Sequence, residues 1–516
     1  MRTADFARFI VVAPRHAPYP DAEMPSNRKT LPKNTTPFEG LDPRTRRWLD
    51  YEQTVNDRLF NDTMMIPFDE RSNTVKTQFR PEQRPVWNQE VVWLPDNLVR
   101  RYGPVHAEVR RAFRIDPPEN RTPLFLHPQT PSPHRRLALE HGRERLTGVS
   151  VTPTSSPRSV LLWQRNGKQP PVLLKLSIGA IIAFTRRALR EGQVARAVMI
   201  SSLFETIPKK DRERLRFDWF SEPAGMVETR SRHGWLIRRW PRLLSKAGTS
   251  TLIPLFSLIS RHDGQPPLLL TLIRRSKLSP EEFVADRVLR PYVNVLAYLL
   301  FEHGLQYEGH SQNVLFEVDR NKNLTGRIVL RDLADTSVNI AFRIAKGRPL
   351  PVFAPGFLPD NAPFPIAGNA ADYRTNARRS RILRGFDTVE AYGLWNFVWT
   401  INKSLARFQK KYDAAATDQR YLELWQQAAV ASLGVRPLFR KEPKGLATDE
   451  AVAYFLSQTD WRALGARPAG LPDEAEPLLI DGRMRRRSNG VYDRLECAWG
   501  DLFIGKGLPG FFRPAF

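Results

Sequence analysis

The stretch Tyr307-Glu308-Gly309-His310-Ser311-Gln312-Asn313 concentrates groups able to hold a metal ion and phosphate. A strand–turn–strand pattern follows it, Val314–Val318 and Gly326–Leu330 turned at Asp319 to Asn323, and then Arg331-Asp332. Antiparallel pairing joins the open ends of such a hairpin, so Asn313 and Asp332 are predicted to stand side by side. Glu308, Gln312, Asn313 and Asp332 offer hard oxygen ligands suited to Mg²⁺. His310 and Arg331 can contact phosphate. The plainer reading is a polar turn beside a charged hairpin.

Two further groupings carry charge in informative places. In Pro153-Thr154-Ser155-Ser156-Pro157-Arg158-Ser159, hydroxyls flank an arginine, a combination that suits carboxylate or phosphate. Ser/Thr/Pro runs are also ordinary loops. Lys175 interrupts the apolar run Val172-Leu173-Leu174-Lys175-Leu176, so it either faces solvent or enters a cleft. Arg187 follows, with Arg186 and Arg190, on a stretch that reads as a helix with a basic face.

The elements that must position these groups are mixed. One hairpin is predicted over Ser159–Arg165 and Val172–Ile178 around Asn166-Gly167. A second is predicted over Thr251–Ser260 and Pro267–Arg274 around Asp263-Gly264. Helices are expected over Pro43–Leu59, Ala183–Glu191 and Gln193–Glu205. Ser279-Pro280-Glu281-Glu282 is a capping box with proline at the first helical position. The helix it opens should kink at Pro291 and stop at Gly304. Asp387-Thr388-Val389-Glu390 reads as another capping box, leading into Ala391–Phe408, with further helices over Gln419–Leu433 and from Thr448. Residues 116–158 and 343–380 read as Pro/Arg-rich connections. Hairpins and separate helices together indicate an α+β fold. Three regions are expected: 1–150, a core over 151–342, and a mainly helical 343–516.

Bulk properties narrow the classes. The 516 residues carry a formal charge of +25, which draws polyanions. Nucleic acid is one such partner on charge alone, but no finger spacing, aromatic RNP strand or basic heptad supports it, and Arg483–Arg487 is only a short cationic patch. A single cysteine, Cys497, excludes an internal disulfide and a cysteine-rich metal site. No apolar run approaches the roughly 18 residues of a membrane span, and Phe9–Ala13 is too short for a secretory core. No membrane partner and a cytoplasmic location are therefore expected.

Taken in order, PTSSPRS (Pro153–Ser159), LKLS (Leu174–Ser177) with Arg187, EGHSQN (Glu308–Asn313) and Arg331-Asp332 resemble one family. It is the siderophore synthetases that work without a non-ribosomal peptide synthetase, of the aerobactin-synthase IucA/IucC type. Leu126-His127-Pro128 is similar to the family's His-Pro element, and Phe301–Leu305 to the helix end before its His-x-Gln-Asn motif. The resemblance covers about residues 120–335. It implies a hand-like fold of fingers, palm and thumb, with residues 1–150 as a shortened thumb-like part. It also implies ATP, Mg²⁺ and a citrate-like polycarboxylic acid, activated as an acyl-adenylate and joined to an amine or alcohol. By resemblance, Ser156, Arg158 and Ser159 would hold the acid or adjacent phosphate. Lys175 and Arg187 would hold ATP phosphates, with Lys175, Arg187 and His310 the catalytic set. His310, Gln312, Asn313 and Arg331 would bind nucleotide, and Glu308, Gln312, Asn313 and Asp332 the metal.

The chain departs from the pattern in three places. The family's N-terminal His-Pro…Lys-x-Arg motif has only Met24–Lys29 as a counterpart, without the histidine. Ala183 stands where the family has threonine, and Ser159 where threonine is commoner. Two other readings stay open. One is a kinase-like small-molecule phosphotransferase, because protein kinases also share metal ions between a loop asparagine and a strand-end aspartate. The other is a non-catalytic basic binding protein on the same fold. A homodimer is open as well.

Overall fold

The structure is a computed structural model. It describes residues 38–54, 74–167, 171–182, 185–241, 249–260, 266–307, 309, 311–321, 323–338 and 348, with parts of 401–424 and 479–484. Everything below lies in the compact unit Gly40–Phe516.

The chain opens with α1 (Pro43–Gln53). Asp42 caps it by accepting from the Arg44 and Thr45 amides at 3.0 and 3.1 Å, and Pro43 supplies a preset first turn. Then come β1 (Trp87–Pro95), β2 (Val99–Tyr102), α2 (Val105–Phe113), β3 (Arg121–Leu126), α3 (Ser132–Glu140) and β4 (Glu144–Pro153). Next are β5 (Ser159–Gln164), β6 (Val172–Leu176), the short β7 (Ile181–Ile182) and β8 (Thr185–Arg186), α4 (Glu191–Glu205) and α5 (Lys209–Leu215). They are followed by β9 (Phe217–Trp219), β10 (Ser221–Glu228), β11 (Gly234–Arg239), β12 (Thr249–Pro254), α6 (Leu255–Ile259) and α7 (Leu268–Ser276). Last come α8 (Pro280–Phe283), α9 (Arg290–His303), β13 (Leu305–Gln306), β14 (Val314–Asp319), β15 (Leu324–Leu330) and β16 (Ser337–Val338).

Eight strands form one antiparallel sheet in the order β2-β10-β11-β6-β5-β4-β1-β3. Four more form a second sheet, β12-β14-β15-β9, whose last pair is parallel. The fold is α+β. One core packs Val105, Val109 and Phe113 of α2 against Leu174, Leu176 and Trp235. The other, larger core gathers α4, α9 and the second sheet around Phe204, Phe256, Val293 and Phe316. Leu174 and Leu176 belong to the first core, so the alternation of a strand sends Lys175 to the opposite face, where Leu236 also points.

Several expected elements are present. The Asn166-Gly167 hairpin pairs Ser159 with Lys175. The Ser279 capping box forms, with its hydroxyl accepting from the Glu282 amide at 3.2 Å and Glu282 returning to the Ser279 amide at 3.0 Å. The expected break at Pro291 is realised as a π-helical stretch, Val284–Leu289, just before it. Proline has no N–H for the regular ladder, and a wider turn absorbs the loss. Gly304 takes the left-handed conformation at the stop, φ +58°.

Three expectations fail. Residues 116–158 are not mainly loop, because β3, α3 and β4 occupy most of them. The predicted hairpin over Thr251–Arg274 is replaced by β12 and two helices, and β12 pairs with β14 instead. Pro254 ends the strand and caps α6, which turns the chain away. Around Arg186–Arg187 the expected helix is a two-residue hairpin, Ile181–Ile182 with Thr185–Arg186. The connection over 343–380 (Arg348 apart), the Asp387–Glu390 box and Met24–Lys29 lie outside the described residues, while Ile401, Asn402, Leu405, Ala406 and Phe408 are helical.

Candidate functional site

The central strand β6 delivers Lys175 to a buried group of charges. Its ammonium is 3% exposed and pairs with the Asp332 carboxylate. Asp332 sits just past β15, in the left-handed backbone region at φ 64°. Aspartate is one of the few residues that tolerates this conformation, and it turns the side chain back toward β6. On the neighbouring strand β11, Arg238 donates to the same Asp332 oxygen at 2.8 Å and to Glu222 of β10 at 2.7 Å. Glu222 is fully buried and Arg238 is 5% exposed.

The electrostatics favour an anion. Burial alone would raise the Asp332 pKa, but Lys175, Arg238 and Arg158 together hold it well below the usual carboxylate range. Burial lowers the Lys175 pKa; Asp332 opposes that, while Arg158 and Arg238 add to it. Three cations, Lys175, Arg158 and Arg238, thus face two carboxylates, Asp332 and Glu222. The cations and carboxylates interact in a place largely shut off from water, where charge interactions are strong.

A second buried group holds the Ser-rich loop against this cluster. Arg331 donates from Nη1 to Glu52 of α1 at 2.6 Å, from Nη2 to the Ser155 hydroxyl at 3.1 Å, and from Nε to the Gln312 carbonyl at 2.7 Å. Glu52 also accepts from the Ser155 amide at 3.1 Å. The Tyr307 hydroxyl lies 2.8 and 2.5 Å from the carbonyls of Asn313 and Arg331 and accepts the Arg331 amide at 3.1 Å. Arg331 therefore joins α1, the Ser-rich loop and both ends of the β14–β15 hairpin. A cavity of ≈ 10 Å³, about the size of one water site, lies between Ser159, Arg238, Arg331 and Trp48.

The predicted residues fall out as follows. Lys175 and Asp332 meet directly, and Arg158 and Ser159 adjoin them, Ser159 by direct strand pairing. Ser156 is half-buried in the loop, its carbonyl accepting from the Ser159 amide at 3.1 Å. Gln312 and Asn313 are buried at the open end of the hairpin, and the Asn313 carbonyl accepts from the Arg331 amide at 3.1 Å. Arg187 stands beyond β8, its Nε donating to the Ile182 carbonyl at 3.1 Å. Glu308 and His310 lie outside the described residues. Sequence reasoning missed Arg238, Glu222, Glu52 and Tyr307. Arg238 carried a readable signal, because Gly234-Trp235-Leu236-Ile237-Arg238 puts a cation in an apolar strand as LLKL does.

Among the described residues, no group of three or more His, Cys, Asp or Glu side chains could hold a metal ion. Mg²⁺ is commonly held by one or two carboxylates plus substrate phosphate. Asp332, with Gln312 and Asn313 across the hairpin end, fits that mode of binding and no all-protein cage. No described helix is long and apolar enough to cross a membrane.

Comparisons with known proteins bear on the fold. A search of the curated proteins finds no match. Among solved structures, ATP-bound aerobactin synthetase IucA from a hypervirulent pathotype of Klebsiella pneumoniae is similar at 15% identity and TM-score 0.51, over 76% of each chain. The petrobactin biosynthesis protein AsbB from Bacillus anthracis str. Sterne is similar at 14% identity and TM-score 0.51, over 67% of this chain and 61% of its own. At such identities the likeness establishes the fold. The model of the IucA / IucC family matches residues 65–260, a span that holds the Ser-rich loop, Lys175, Arg187 and Arg238. Over that span the chain is similar to the IucA / IucC family, and the fold around it is similar to that of the two synthetase structures.

Proposed function

We propose that the protein is an ATP-dependent ligase that adenylates a citrate-like polycarboxylic acid and condenses it with an amine or alcohol, as in siderophore assembly. The observation that carries this reading is the meeting of the Ser-rich loop, the Lys175 strand and the Asp332 hairpin end in one buried, charged cluster. A carboxylate oxygen attacks the α-phosphorus of ATP, the bond to pyrophosphate breaks, and an acyl-adenylate forms. The amine or hydroxyl then attacks the acyl carbon, AMP departs, and the nucleophile gives up a proton.

Two anions must approach in the first step. Lys175, Arg158 and Arg238 offset their repulsion and the charge that develops on the phosphorus oxygens. Ser156, Arg158 and Ser159 hold the acid, while Lys175 and Arg187 hold the phosphates. His310, Gln312 and Asn313 line the nucleotide, and Glu308 and Asp332 suit Mg²⁺. When bound, Mg²⁺ supplies further charge neutralisation at the phosphates. Arg331 is a positioning residue in this scheme, because its guanidinium is taken up by Glu52, Ser155 and the Gln312 carbonyl. The work is done in the cytoplasm, where ATP is abundant.

The test is product analysis with ATP, Mg²⁺, citrate or related acids, and a panel of amines. AMP with pyrophosphate, dependent on the acid and lowered on the order of 100-fold in Lys175→Met, is the expected result. ADP would replace the ligase with a phosphotransferase. Folded protein that turns over no nucleotide with any acid, yet binds RNA in a steeply salt-dependent way, would make it a basic binding protein.

A further inference from the structure

The helix α1 reaches into the site from outside the span that the family model matches, since it precedes residues 65–260. Its last two residues, Glu52 and Gln53, are fully buried. Each grips the first half of the Ser-rich loop. Gln53 Nε2 donates to the Thr152 hydroxyl at 2.8 Å and to the Pro153 carbonyl at 2.6 Å. One Glu52 oxygen accepts the Ser155 amide at 3.1 Å, and the other accepts Arg331 Nη1 at 2.6 Å.

The helix is itself tied down. The Tyr51 carbonyl accepts the Ser257 hydroxyl of α6 at 2.6 Å. Trp48 packs edge-on against Trp240, with ring centroids 5.0 Å apart, and its ring lies 6.4 Å from that of Phe220. α1 therefore offers the loop a fixed frame.

The second half of the loop is held from the sheet. The Ser159 carbonyl accepts the Thr154 amide and hydroxyl at 2.7 and 3.0 Å. The Arg158 carbonyl accepts the Leu176 amide of β6 at 2.8 Å. Gripped from both sides, every residue from Val151 to Val160 is buried except Ser156. Ser156 is thus the point at which the loop can be met.

Stability alone is a poor reason for this arrangement. A buried carboxylate–guanidinium pair carries the desolvation of both charges, and an apolar pair of similar volume often serves a fold as well or better. A carboxylate does something else here: it accepts N–H groups from two segments at once, and Ser155 and Arg331 are 176 positions apart.

We propose that Glu52 and Gln53 are positioning residues for the acid substrate. They fix where Ser156 and Arg158 stand, and Glu52 ties that loop to the hairpin end that carries Asp332. The inference rests on the ligase reading, in which this loop holds the acid.

Steady-state kinetics with citrate, or with the most active acid of the panel, combined with hydrogen exchange of the full chain, tests the proposal. Gln53→Met keeps the length of the side chain and removes both loop bonds. Glu52→Gln sets an N–H against one of its two donors. In each variant KM for the acid should rise about 10-fold, the worth of roughly one hydrogen bond, while KM for ATP stays unchanged. In Gln53→Met the amides of Thr154–Ser159 should exchange faster, while those of β14 and β15 keep their wild-type rates. A merely structural role would move both KM values together, or would loosen the hairpin as much as the loop; either result overturns the inference. Wild-type protein inert with every acid would sink the ligase reading and this role with it. An active wild type whose two variants keep its KM for the acid would sink this role alone.

Discussion

The Lys175–Asp332 cluster and the Trp87–His127–Thr130 group both bury polar atoms, but they are completed in opposite ways. In the cluster the charges answer one another: Asp332 pairs with Lys175 and Arg238, and Arg238 also with Glu222. An incoming anion must compete with protein carboxylates there. In the second group Trp87 Nε1 and Thr130 Oγ1 are sealed from solvent without a hydrogen-bond partner, and His127 has the Pro157 carbonyl beside it. The first arrangement stores specificity in compensated charge, the second in unmet hydrogen-bonding capacity. Removing a group should therefore hurt the first and spare or help the second.

The largest effect is expected at Asp332. Asp332→Ala leaves Lys175 and Arg238 as buried cations short of a partner, at a cost of about 3–5 kcal/mol, read as a lower urea midpoint. A loss below about 1 kcal/mol would mean that the cluster is solvated after all.

Acid should separate the regions next. His127 and His134 have pKa values lowered by burial to about 3 and about 4, against an ordinary value of 6.5. Between those values the unfolded chain binds protons that the folded rings refuse. Stability is therefore complete above pH 6.5 and falls as the pH drops toward 4 and then 3. His134 alone accounts for about 3 kcal/mol. The Asp332 contribution survives through this window, because its folded pKa is depressed well below the carboxylate range. Denaturation midpoints across the pH range check this, and His134→Gln should flatten the acid limb.

Gly309→Ala probes the hairpin approach. A Cβ there would come within 2.5 Å of the Tyr292 hydroxyl, which donates to the Gly309 carbonyl at 2.7 Å. Overpacking of this kind costs about 1–3 kcal/mol, seen as a lower melting temperature. The smallest effect sharpens the comparison most. Thr130→Val removes an orphaned hydroxyl, so stability should stay level or rise by up to about 1 kcal/mol in the same melts. A loss of 2 kcal/mol or more would show that the hydroxyl is satisfied.

Local chemistry was legible in the sequence, and long-range pairing was not. The Ser279 capping box and the hairpin turned by Asp319 involve groups a few residues apart, so their types and spacing suffice. Residues 116–158 misled because proline was taken as a loop signal. Pro123 in fact sits on β3, the end strand of the eight-stranded sheet, where a missing N–H is tolerated. The partner of β12 lies about 60–70 residues ahead, at Leu315–Asp319, and no local pattern announces it. In the site, Lys175 and Asp332 could be named because each breaks a pattern. Glu52 could not, since an acidic residue on a helix ordinarily reads as a solvated face.

The Arg331–Glu52 contact has a temporal consequence for biosynthesis. Its partners are 279 positions apart in the chain. At translation speeds of about 5–20 residues per second, the glutamate is incorporated roughly 14–56 s before its arginine exists. Until then the segment Pro43–Gln53 lacks its final seat, and the contact that fixes it is among the late ones to form.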